Sequence, residues 1–183
     1  TKRASLYALE KVYDWALKQN VINEYASDFI RTVLDFNGTM IAKTRGGYLI
    51  RNKSALREMR VPASMGYPDL AQSQNVTGFK QVGTNYYVHL GPGKSALMYF
   101  TSSRPTQPYM VSANAMVTGF KKTDTGFDLR LHGYLPIQFT LANMQGCVVM
   151  HGKDELSSIA WARNHKHYKL DIDSGTFSVK CKK

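Results

Sequence analysis

Within the stretch from Met116 to Leu141, apolar and polar residues trade places through two long runs. Phe127, Leu129 and Leu131 alternate with Asp128, Arg130 and His132, and Leu135, Ile137, Phe139 and Leu141 alternate with Pro136, Gln138 and Thr140. A period of two suits a strand with one buried face, because successive side chains point to opposite sides. Asp124-Thr125-Gly126 and His132-Gly133 break the pattern where tight turns need glycine. The stretch reads as three consecutive antiparallel strands whose common apolar face requires a second layer.

The same pattern extends on both sides. Strands are expected over 40–43 and 48–51, as a hairpin around Thr44-Arg45-Gly46-Gly47, and over 56–61, 78–81, 85–90 and 96–101. After the central stretch come 147–150, 158–164, 167–170 and 176–181. Segments 62–74 and 102–108 are rich in Pro, Gly and polar residues and read as loops. About ten strands at roughly 8–12-residue spacing predict a mainly β fold, an antiparallel β-sandwich of jelly-roll or Ig-like type.

The first residues differ. Leu6, Leu9, Tyr13, Ala16 and Leu17 follow a helical rhythm over 5–19, with Ser5 as N-cap. A second helix is expected over 28–36, capped by Ser27 or Asp28 and stopped by Asn37-Gly38. The domain reading is a helical segment at 1–36, ending a preceding domain, and a β-sandwich at 37–183. A chain that opens on Thr1-Lys2-Arg3 is expected to be a piece of a longer protein.

The net charge of +11 admits nucleic acid, an anionic surface or an acidic protein as partner. The basic residues are spread along the chain, and no helix-turn-helix or aromatic RNA-binding signature accompanies them, so no specific nucleic acid is expected. No apolar run approaches the roughly 18 residues of a membrane span. Cys147 and Cys181 permit one disulfide without forcing it. Cys181 shares a strand face with Phe177 and Val179, which reads as a buried thiol.

His165 and His167 share a strand face, but a metal site needs a third ligand and only His151 or Asp171 is nearby in sequence, so the pair reads as an ordinary turn or surface pair. No cofactor is expected. The chain shows no nucleophile beside a base and no paired carboxylates, so the segment is read as non-catalytic. Aromatic residues remain, because sugars stack on aromatic faces. Tyr87 and His89 alternate with Tyr86, Val88 and Leu90 and are expected on the exposed face. Tyr67 sits in a Pro-flanked loop, and Trp161, which shares a strand face with Ile159 opposite Ala160 and Ala162 and reads first as core, completes the candidate carbohydrate-binding set.

ALEKVYDWALKQ and EYASDFIRTVLDF, at 8–19 and 24–36, resemble the end of the deacetylase domain in the PelA family of Pel exopolysaccharide deacetylase and glycoside hydrolase proteins. REMRVPASMGYPDL, NVTGFKQVGTNYYVHLG and FTLAN, at 57–70, 75–91 and 139–143, resemble the β-domain at the carboxyl end of that family. The resemblance implies a periplasmic, non-catalytic accessory domain in biofilm exopolysaccharide biosynthesis. It implies an N-acetylgalactosamine-rich polysaccharide, an upstream deacetylase domain and a tetratricopeptide scaffold protein as partners. The family's metal constellation, an Asp with two histidines four apart, is absent, so no catalytic residue carries over. A deacetylated polymer is cationic and would be repelled by a chain at +11, which leaves two roles. One is binding the polysaccharide while it is still acetylated. The other is docking an acidic scaffold with no glycan affinity.

Overall fold

The computed structural model describes residues 2–18, 25–52, 55–162 and 164–182, in backbone only at 2, 17 and 160–162. The chain divides into two units, 1–31 and 32–183. The helices are α1, Lys2–Leu17, and α2, Ala26–Asn37. Ser5 and Ser27 therefore lie inside the helices and cap neither. Asp28, in the first turn of α2, complements the helix dipole, and the Gly38 amide closes the far end on the Leu34 carbonyl at 3.0 Å. Leu6, Leu9, Tyr13 and Trp15 of α1 are exposed, as are Phe29, Ile30 and Leu34 of α2.

After α2 the described residues form strands and turns with one short 3₁₀ helix, Ala63–Met65, the mainly β sandwich the alternation predicts. Among the described residues the strands run β1 Met40–Thr44, β2 Gly47–Arg51, β3 Glu58–Pro62, β4 Tyr67–Pro68, β5 Val76–Val82, β6 Asn85–Leu90, β7 Ser95–Thr101 and β8 Tyr109–Ala113. They continue as β9 Met116–Thr123, β10 Gly126–His132, β11 Gln138–Ala142, β12 Cys147–His151, β13 Asp154–Glu155, β14 Ala160–Ala162, β15 His165–Lys169 and β16 Ser174–Cys181. Three sheets result. A seven-stranded sheet, β14-β15-β11-β8-β5-β6-β3, lies between a five-stranded sheet, β13-β12-β16-β10-β9, and a four-stranded one, β1-β2-β7-β4.

The central stretch is not a three-stranded meander. β9 and β10 pair as a hairpin, but β10 takes β16 as its other neighbour, while β11 joins the seven-stranded sheet between β8 and β15. Phe127, Leu129 and Leu131 of β10 thus meet Phe139 and Leu141 of β11 across a core rather than beside them in one sheet. Alternation fixed which residues face inward; it does not choose the hydrogen-bonded neighbour.

Two cores follow. One, between the five- and seven-stranded sheets, holds Leu129, Leu131, Ile137, Phe139, Tyr168 and Phe177. The other, under the four-stranded sheet, holds Ile50, Val61, Phe79, Tyr86, Val88 and Met98. Adjacent residues of one strand divide between them: Tyr109 and Ala142 belong to the second core, Met110 and Leu141 to the first. Because neighbours on a strand point to opposite faces, the seven-stranded sheet carries one core on each side. The cores are offset along the sheet, so each face is covered over part of its width.

Cys147 and Cys181 sit directly opposite each other on β12 and β16 and are joined in a disulfide, so the buried-thiol reading of Cys181 is corrected. The thiols pair because the ladder's register brings them together, not because of their sequence spacing. The bridge spans 34 residues and ties the C-terminal strand to the sheet. Replacing both cysteines by Ala is expected to lower unfolding free energy by about 3–4 kcal/mol, read from denaturant midpoints under oxidising conditions.

Tyr168 is fully buried and stacked on Phe139, ring centroids 5.0 Å apart. Burial, with the Glu155 carboxylate adding to it, pushes its phenol up to about 12 from the ordinary 10.0. Between those two values the unfolded chain loses this proton first, so the fold loses stability as pH rises. Tyr168→Phe is expected to make that alkaline decline shallower by about one proton's slope. An unchanged slope in denaturant titrations at several pH values would mean the phenol ionises normally.

Candidate functional site

The candidate site begins where β5 and β8 part. These strands are parallel and pair only at Gly78 and Met110. A Cβ at Gly78 would collide with the Met110 backbone carbonyl, so only glycine permits the approach. Past that point the strands diverge. On the side of the sheet away from the Phe79 core, the outer faces of β5, β6 and β3 meet the turn from β8 into β9 in a groove of ≈ 690 Å³. Such a volume suits a small ligand or a few sugar rings.

β6 supplies its floor. Tyr86, Val88 and Leu90 are buried beneath, and Tyr87 and His89 line the groove, as the alternation predicts. Tyr87 is half-buried, and the His89 side chain is only 13% exposed, less open than the sequence implies. The reason is long-range pairing. Glu58 of β3 stands opposite His89 in register, and its carboxylate lies 2.9 Å from Nδ1. The Val111 carbonyl lies 2.8 Å from Nε2. Both ring nitrogens therefore face protein oxygens at hydrogen-bond distance, and neither is open to a ligand. It serves as a fixed strut between β6, β3 and β8.

The groove's cations are less well provided for. Arg57 sets one amino group, Nη2, 3.2 Å from the Met116 sulfur, a weak acceptor. Its other amino group, Nη1, is buried with no hydrogen-bond partner. Burial holds the guanidinium below its ordinary pKa. Among the described residues no carboxylate lies within ion-pairing distance of Arg57 or Lys80. Lys80, exposed, lies on the same face as Tyr87, its partner in register. The Arg57, Glu58 and Lys80 contributions were missed in the sequence, because only the pairing of β3 with β6 and the β8–β9 turn assembles them.

The other candidates lie elsewhere. Tyr67 packs against Tyr86 at 5.7 Å and lines an adjoining depression of ≈ 470 Å³ with Arg104, Tyr109 and His165, which shares Lys80 and Val111 with the groove. It does not line the Tyr87–His89 groove. Trp161 lies in β14 opposite Lys166, at the far edge of the seven-stranded sheet, and its side chain is outside the described residues. His167 bonds Thr140 Oγ1 through Nδ1 at 2.9 Å. A third cavity, of ≈ 430 Å³, lies between Leu70, Phe120 and Cys181. Lys122 lines it and spends its ammonium on the Leu70 and Ser73 carbonyls.

An orphaned buried donor costs about 1–3 kcal/mol, so Arg57 is a net burden on the isolated fold. Arg57→Met keeps an unbranched, flexible side chain against Met116 and removes the orphan. It is expected to raise the unfolding free energy by about 1 kcal/mol in denaturant titration. A loss of that size would show that Arg57 is structural.

Comparison of the chain with protein-family models, with curated proteins and with solved structures finds no match, and the groove's geometry carries the functional reading.

Proposed function

We propose that this chain is a non-catalytic accessory domain of a Pel-type exopolysaccharide-modifying enzyme and that it binds polysaccharide in the Tyr87 groove. The observation that carries the reading is the convergence, in one open groove, of an aromatic ring, a fixed carboxylate–imidazole pair and two cations with no carboxylate partner among the described residues. Tyr87 offers an apolar face to a pyranose ring, and the polar groups around it can read hydroxyls. A groove with an excess of positive charge disfavours a cationic, deacetylated polymer and leaves neutral or acidic chains. The disulfide supports a periplasmic setting, since such bonds persist in oxidising compartments.

A second reading, docking to an acidic scaffold protein such as a tetratricopeptide array, is supported by the net charge of +11. The two readings separate on Tyr87. Tyr87→Ala is expected to weaken oligosaccharide binding roughly tenfold in calorimetric titration while leaving the thermal midpoint nearly unchanged. An unaltered affinity, or no heat with any oligosaccharide, would favour the scaffold.

A further inference from the structure

We infer that the groove reads an acetamido group: Arg57 donates to its carbonyl oxygen, and the turn from β8 into β9 receives its methyl group. This rests on the polysaccharide reading above and deepens it, because it names the substituent by which the chain is recognised. The free protein holds a mismatch at this point. Arg57 sets Nη2 on the Met116 sulfur, a weak acceptor, and its Nη1 is buried with no hydrogen-bond partner. One orphaned donor asks for one strong acceptor, and an amide carbonyl supplies it without bringing a charge. The surroundings favour such a neutral group. Ala113, Ala115, Met116 and Val117 make this wall of the groove apolar. A carboxylate or sulfate set against them would lose water from its remaining oxygens with no donor to replace it. An acetyl methyl gains from the same wall. Glu58, 43% exposed, places one carboxylate oxygen on His89 and can accept the amide N–H through the other. Donor, apolar wall and acceptor thus answer the three parts of an acetamido group.

Reach separates an acetamido group from a hydroxyl. Nη1 is out of contact with solvent, and the Met116 side chain, 41% exposed, stands in the groove wall with its sulfur on Nη2. A hydroxyl oxygen sits directly on the sugar ring, whereas an acetamido carbonyl is carried beyond it on a short planar arm. Methionine is unbranched and turns easily, so that arm displaces a weak acceptor rather than a packed residue. The cost of the orphan in the free protein then becomes part of the affinity for the ligand. Tyr87, on the floor, stacks the ring that carries the arm.

The test titrates the whole chain by calorimetry with two neutral oligomers of equal length and linkage, one of N-acetylgalactosamine and one of galactose. They differ only in the acetamido group. A deacetylated oligomer is not the comparison, since its positive charge would weaken binding whatever Arg57 does. The acetylated oligomer is expected to bind roughly tenfold more tightly than the galactose oligomer. Arg57→Met removes that preference by lowering affinity for the acetylated oligomer alone. Tyr87→Ala weakens both oligomers and keeps their ratio. Circular dichroism and the thermal midpoint confirm that each variant is folded.

Equal binding of the two oligomers by the unaltered chain would overturn the inference while leaving the polysaccharide reading in place. A preference that survives Arg57→Met would also overturn it, because the acetamido group would then be recognised elsewhere. Binding of neither oligomer would remove the polysaccharide reading and the inference with it.

Discussion

The backbone contact between Gly78 and Met110 is the constraint on which the seven-stranded sheet depends. Four strands on one side and three on the other become one sheet only through this parallel pairing of β5 with β8. Any side chain at residue 78 would meet the Met110 carbonyl. The joint is reinforced beside the pairing by Phe79 stacked on Tyr109, ring centroids 4.6 Å apart and planes nearly parallel, worth about 0.5–1.5 kcal/mol beyond the area it buries. Tyr109 and Met110 then send their side chains into different cores. One peptide step thus joins two sheet halves and anchors two hydrophobic interiors.

The groove is a consequence of that joint. Strands that pair at one point and then diverge leave a wedge, and the β8–β9 turn closes one wall of it. The groove floor, β5-β6-β3, has its other face buried against Ile50, Ala96 and Met98 of the four-stranded sheet, so it is a rigid platform rather than a mobile loop. Groups held on packed strands lose little freedom when a ligand arrives, which favours recognition by preorganised contacts. The His89 strut serves the same end. It locks β6 to β3 through Glu58 and to β8 through the Val111 carbonyl, across the line where the sheet splays.

The sequence made the β5–β6 hairpin and the β9–β10 hairpin legible because each is local, alternating and closed by a glycine turn. It placed Tyr87 and His89 on the face opposite Tyr86, Val88 and Leu90 for the same reason. β8 escaped notice, since Tyr109–Ala113 follows a polar linker and carries inward-facing residues of two cores on neighbouring positions, which hides the period of two. The pairing of β10 with β16, and the departure of β11 to another sheet, are long-range choices that alternation cannot encode. Arg57 and Glu58 were invisible as site residues for that reason, and so was the disulfide, which depends on the register of β12 against β16.

Arg57 is where the local rules fail, and that failure is informative. Buried donors in folded proteins are paired in the great majority of cases, because an unpaired one forfeits water without replacing it. Here a cationic side chain is partly desolvated, set against a sulfur, and left with no carboxylate within reach among the described residues, in a chain with thirteen acidic residues to choose from. Glu58 is its immediate neighbour in sequence, yet strand geometry directs that carboxylate to His89 instead. A fold that leaves a partly desolvated guanidinium on the wall of an open groove gives up stability there, and packing alone does not account for it.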